Sequence, residues 1–142
     1  DQVTARIPQV SGRELFFALY SRGSVLVEMQ NYIEAAQAYD QAFGVYAQLS
    51  PDERPWRITW YQVGAYPAYY YTGRYQDCLN LAMQTLSNKR SPELPETWYW
   101  AGRAAAALKM TDDAISDYRK ALEYHPGWDL PLEGLAELGV QP

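Results

Sequence analysis

Apolar side chains at Leu15, Phe16, Leu19, Val25, Leu26 and Met29 recur close to a helical period and predict a first helix ending near Met29. Ser11 and Glu14 stand at capping-box spacing, in which the serine accepts an orphan amide and the glutamate reaches back. Gly23 falls inside this helix at a propensity cost of about 1 kcal/mol, so a packing reason is expected for it. Asn31 and Glu34 repeat the cap-and-box pattern and open a second helix over 32–49. The prolines and charges of 50–55 predict a loop. A largely aromatic helix is expected from Trp56 or Arg57 to Tyr71, kinked or broken by Pro67. Thr72, Gly73 and Arg74 then make a turn, and 75–86 read as its partner helix, with Cys78 and Ala82 in small-residue places.

The sharpest pattern lies between Trp98 and Trp128. Helices are predicted over 95–108, with Pro95 suited to the first helical position, and over 112–124. Small residues (Gly102, Ala105, Ala114, Ala121) fall where the two would cross, beside large ones (Trp98, Leu108, Ile115, Tyr118, Leu122). A small residue lets a large one approach, which gives a close-packed antiparallel hairpin. Pro126 and Gly127 stop the second helix. Trp128, Leu132, Leu135 and Leu138 mark a short amphipathic helix beyond them. Gly23, Ala35, Tyr39 and Ala42 repeat the spacing of Gly102, Ala114, Tyr118 and Ala121.

Trp98, Ala101, Gly102, Ala105, Ala114, Tyr118, Ala121 and Pro126 resemble the small and aromatic positions of a tetratricopeptide repeat, a two-helix unit of about 34 residues. The resemblance implies an all-α fold, a right-handed superhelical array of antiparallel helix hairpins forming a solenoid. Repeats are expected at about 12–49, 56–87 and 95–127, with a terminal capping helix at 128–139. An irregular lead-in at 1–10 would precede a single domain over 11–142. Arg22 and Ala47 depart from the pattern in the first repeat, and Ala47 in place of a proline suggests that its second helix runs long. The middle repeat is divergent. Each hairpin leaves an apolar face that only its neighbour can bury.

Composition narrows the chemistry. Among 142 residues, 48% are hydrophobic and 20% charged, a soluble globular profile without an apolar run long enough to cross a membrane. The net charge of -5, with 12 basic residues, argues against nucleic acid as a partner. One cysteine and one histidine exclude an internal disulfide and leave almost no scope for a His/Cys metal site. Cys78 is expected to be a buried, inert thiol, and His125 a capping or exposed residue. Asp112, Asp113 and Asp117 suit a helix N-terminus and match no calcium loop. No glycine-rich phosphate loop follows a strand. The fragment is therefore read as non-catalytic, with no metal and no cofactor. The chain starts at Asp1 without methionine, which points to a processed or excised piece and leaves its compartment open.

Thirteen tyrosines, five tryptophans and nine arginines against three lysines match the residue preferences of recognition surfaces. The family resemblance implies an inner, concave wall lined by the first helix of each repeat. Carried onto this chain, it gives Phe17, Tyr20, Trp60, Tyr70, Tyr71, Tyr99 and Arg103 as partner-binding candidates, with Ser24, Glu28, Val63, Pro67, Glu96 and Ala107 beside them. The expected partner is a protein or peptide with an apolar or proline-rich stretch, and Arg103 could meet one acidic group. Members of the family that grip a chain-end carboxylate use lysines and asparagines, which these places lack. Stacking of the aromatics on one another, or packing against the rest of a larger protein, stays open, as does a homo-oligomer. The stretches WYQVGAYPAYYYTGRYQD and ETWYWAGRAAAAL also resemble repeat regions attached to bacterial extracytoplasmic cysteine peptidases. That implies an alternative role as accessory to an enzyme domain upstream of Asp1.

Overall fold

The computed structural model describes residues 11–54, 64–87 and 94–142. Among them are seven helices and no strand: α1 Gly12–Glu28, α2 Tyr32–Gln48, α3 Ala65–Tyr71, α4 Tyr75–Ser87, α5 Pro95–Ala107, α6 Thr111–Tyr124 and α7 Asp129–Glu137. The chain divides into two compact units, residues 1–68 and 69–142, with the boundary inside α3. The expected lead-in over 1–10, the start of a helix at Trp56 and most of the loop before Pro95 lie outside the described residues.

In the first unit α1 and α2 pack as a hairpin. Ser11 caps α1, its hydroxyl accepting from the Glu14 amide at 3.0 Å. Asn31 makes no side-chain cap hydrogen bond, contrary to expectation. Its backbone (φ -92°, ψ 73°) lies outside the extended conformation that aims a capping side chain at the next turn. The glycine expected to serve packing does so. Gly23 is buried, and a methyl group there would come within 2.9 Å of the Tyr39 ring. Gly64 faces the same tyrosine at its hydroxyl. Helix α2 runs long, as the missing proline suggests: it continues through Ala47 to Gln48, three residues past the counterpart of the α6 end at Tyr124, and there Arg54 turns back and donates to the carbonyls of Leu49 (3.1 Å) and Ala47 (3.3 Å). An arginine thereby supplies the helix stop that Pro126 and Gly127 supply later. Pro67 sits in the first turn of α3, where its missing N–H removes no helical bond.

In the second unit α5 packs against α4 and α6, and α7 packs against both α5 and α6. Pro95 opens α5 at its first positions. Tyr118 lies between two glycines: a methyl group at Gly102 would meet its Cδ1 at 2.7 Å, and one at Gly134 its Cζ at 2.5 Å. Ala105, Ala114, Ala121 and Leu135 complete this core with Tyr99, and Trp98, Trp128, Leu138 and Val140 cover its edges. Cys78 is fully buried in α4, as expected, and burial pushes its thiol up to about 12, partly offset by Arg103.

The helices end alike. After α1, α3, α5 and α7 comes one residue with positive φ: Gln30 (60°), Gly73 (80°), Lys109 (65°) and Gly139 (76°). The next amide in each case bonds back to a carbonyl inside the helix, as in Asn31 to Leu26 (2.8 Å) and Met110 to Ala105 (2.8 Å). This double closure satisfies the last carbonyls and reverses the chain in a few residues.

Candidate functional site

Helices α3 and α5 bring four aromatic rings around one cation. The guanidinium carbon of Arg103 lies 4.3 Å from the ring centroid of Tyr70, 5.3 Å from Trp100, 5.4 Å from Tyr71 and 5.9 Å from Tyr99. Its Nη1 donates to the hydroxyls of Tyr71 (3.1 Å) and Tyr99 (3.3 Å). The local sequence explains half of the cluster. Tyr99 and Trp100 stand four and three residues before Arg103, so one helical turn stacks all three. Tyr70 and Tyr71 come from the last turn of α3, where the Gly73 reversal ends the helix. The rings also hold one another: Tyr70 meets Tyr71, Tyr75 and Trp100 edge-on or tilted, at centroid distances of 5.4, 5.1 and 5.7 Å.

The electrostatics follow from that packing. Burial opposes the charge of Arg103, but the Tyr71 hydrogen bond and the neighbouring phenols outweigh it and hold the guanidinium more firmly protonated than usual. Burial raises the titration of the Tyr99 hydroxyl, with Arg103 working against the shift. Neither group is set up to exchange protons near neutral pH. The arrangement suits binding, with flat apolar faces, hydroxyl tips and one fixed positive charge. Among the described residues no group of His, Cys, Asp or Glu is placed to hold a metal ion.

The sequence candidates separate by exposure. Tyr71 is 49% exposed, while Tyr70 and Arg103 are half-buried beside it. Tyr99 is 5% exposed, wedged between Tyr118 (6.0 Å) and Trp128 (5.3 Å), so it positions Arg103 and offers little surface itself. In the first unit, Tyr20 is 2% exposed and packs on Tyr39 (5.0 Å) and Phe43 (5.9 Å), as a core ring would. Phe17 is half-buried with Arg13 over its ring at 5.7 Å. Trp60 lies outside the described residues. Trp100 was not among the candidates, yet it completes the ring set; its place one turn before Arg103 was the signal.

His125 is exposed and stacks on Trp128 at 5.0 Å, without a catalytic partner among the described residues. Asp117 is 8% exposed, and its carboxyl makes no hydrogen bond among the described residues; burial, reinforced by Asp113, raises that carboxyl to about 7.

Comparison with known proteins agrees with this architecture. Tetratricopeptide-repeat models match residues 95–128 and 18–48, the two hairpins that share the glycine–tyrosine contact. Among solved structures, the first such domain of Spaghetti (RPAP3), bound to the HSP90 peptide SRMEEVD, superposes with a TM-score of 0.68. It is 17% identical, over 87% of this chain and 90% of that one. No curated protein matches the chain. The fold is thus an all-α array of helix hairpins. Two of its hairpins, 18–48 and 95–128, match the tetratricopeptide repeat.

Proposed function

We propose that this protein is a non-catalytic scaffold that binds a protein or peptide segment through the aromatic surface of its second unit. The observation that carries the reading is the exposed Tyr71 lying over a half-buried arginine among further rings. Aromatic side chains with polar tips bury large area at low conformational cost, and arginine and tyrosine dominate binding hot spots. The solved neighbour was captured with a peptide bound, which supports peptide recognition as a use of this fold. Tyr70, Tyr71, Trp100 and Arg103 form the contact set, with Tyr99 positioning the arginine.

Selection from a displayed peptide library, followed by titration of the selected peptides against Tyr71→Ala and Trp100→Ala, tests the reading. Each substitution is expected to weaken binding at least tenfold, roughly 1.4 kcal/mol, as at a typical hot spot. Selected peptides that bind both variants as tightly as the parent chain would place the contact surface elsewhere.

A further inference from the structure

Arg22 departs from the repeat pattern, and its surroundings give the departure a use. Matching Gly23 with Gly102 sets Ala18, Arg22 and Val25 of α1 against Thr97, Ala101 and Ala104 of α5. The α5 residues are buried, and α5 packs against α4 as well as α6. The α1 residues are exposed, and so are Glu14, Ser21 and Met29 along the same stripe. Val25 and Met29 are each more than half exposed. A face that is buried in one hairpin therefore stands open in the other. Its charges are open too: the Glu14 carboxylate and the Arg22 guanidinium make no hydrogen bond or ion pair among the described residues. Glu14, Ala18 and Arg22 follow one another at four-residue steps, about 6 Å each, and so form one ridge of the helix surface. The ridge has a negative end, a small residue in the middle and a positive end. Turned end for end, that pattern is complementary to itself.

We infer that the outer face of α1 receives the same face of a second copy of this chain, in an antiparallel twofold contact centred on Ala18. Glu14 then pairs with the partner's Arg22 and Arg22 with the partner's Glu14, the repetition that a twofold axis imposes. Ala18 at the centre lets the two helices approach, and Val25 falls beside the partner's Ser11 and loses its exposure. Charge fixes the register: a contact centred on Arg22 would set two cations together, and one centred on Glu14 two carboxylates. One helix from each chain makes a small interface, so the association is weak and reversible. The contact is independent of the aromatic surface proposed above, which belongs to the second unit.

Sedimentation of the full chain from about 10 μM to about 1 mM, where weak interfaces associate, tests it. The mass is expected to rise toward that of two chains and no further. Glu14→Arg and Arg22→Glu are each expected to weaken self-association at least about tenfold, since each sets like charges together in both pairs. Mixed in equal amounts, the two variants are expected to recover the parent's association, because every altered residue then faces its opposite in the other chain. A loss of folding in either variant would not be repaired in this way. Ala18→Arg, at an exposed position away from the helix cap, is expected to abolish the dimer by placing two cations at the axis. A constant monomer mass at the highest concentration would overturn the inference and leave the face to a different protein. A mixture that associates no better than its components, or an Ala18→Arg chain that dimerises like the parent, would overturn it and place the contact elsewhere. A mass that keeps growing past two chains would overturn it in favour of an open head-to-tail contact.

Discussion

The hairpins α1–α2 and α5–α6 share a framework of small residues and one tyrosine, and three of their many differing positions change the chemistry. Gly23, Ala35, Tyr39 and Ala42 occupy in the first the places of Gly102, Ala114, Tyr118 and Ala121 in the second. In each a buried tyrosine from the second helix fills the gap over a glycine of the first, and a further glycine, Gly64 or Gly134, approaches the hydroxyl end of the ring. The first of the three stands one residue after the shared glycine. Ser24 bonds inward to the Tyr39 hydroxyl at 3.0 Å, which keeps that face neutral and self-contained. Arg103, at the same place, reaches out to Tyr71 and Tyr99 and puts a charge among the rings. Asp117 is buried where the first hairpin has Ala38, and Lys109 adopts the left-handed turn that Gln30 adopts. The glycine–tyrosine contact therefore sets the hairpin, and the neighbouring residue is free to set what its surface does.

The largest effect should come from the shared contact. Gly102→Val and Gly23→Val each place a branched side chain against a tyrosine ring that even a methyl group would meet within 3 Å. Gly134 also meets the Tyr118 ring, and Gly64 and Ser24 meet the Tyr39 hydroxyl, so about 3 kcal/mol of destabilisation is expected in each hairpin, more than helix propensity returns. Hydrogen exchange resolved by residue, alongside thermal unfolding, would show which unit loses protection. A rise in melting temperature for either variant would mean that the tyrosine can move, and the two hairpins would no longer be equivalent.

These equivalences were legible because the chemistry is local and repeated. A glycine on one helix and a tyrosine on the next, in the same spacing twice, is enough to place the crossing, and Ser11 with Glu14 was enough to place the first cap. What stayed hidden depends on backbone geometry or on distant partners. Asn31 reads as a cap by residue type, but the closure of α1 has already fixed its backbone, with its amide bonded to Leu26. Arg54 closes α2 from beyond a proline-containing turn, a reach that spacing does not encode. Tyr20 and Tyr99 carried the right residue type for a wall, yet the rings of Phe43 and Trp128 cover them. Exposure decides between core and surface aromatics, and composition does not report it.

The next effect concerns Asp117 and its counterpart Ala38. The folded chain keeps the Asp117 carboxyl protonated up to about pH 7, whereas an ordinary aspartate releases its proton near 3.8. Folding therefore binds a proton between those values, and stability falls as pH rises from about 4 to about 7. The interval sets a ceiling of roughly 4 kcal/mol on the loss. Asp117→Ala makes the position like its counterpart, so the variant should gain about 2 kcal/mol over the parent at pH 8 and little at pH 4. Urea unfolding at the two pH values measures this. A parent chain as stable at pH 8 as at pH 4, after correction for the variant's own slope, would show that the carboxylate is solvated.

The smallest effect probes the turns. Gln30 and Lys109 hold positive φ at places where Gly73 and Gly139 do the same work in the other two closures. A side chain with a Cβ pays about 1 kcal/mol to enter that region, and glycine does not. Lys109→Gly and Gln30→Gly should each stabilise the folded chain by roughly 0.5–1 kcal/mol, less whatever the extra freedom of the unfolded chain takes back. The two should gain equally, because the closing hydrogen bonds have the same length in both hairpins: 2.8 Å from Asn31 to Leu26 and from Met110 to Ala105. A gain at one turn with a loss at the other, in paired denaturation curves, would show that one side chain makes a contact worth more than its backbone strain. Lys109 would then join Arg103 as a position where the second hairpin departs from the first for a reason other than shape.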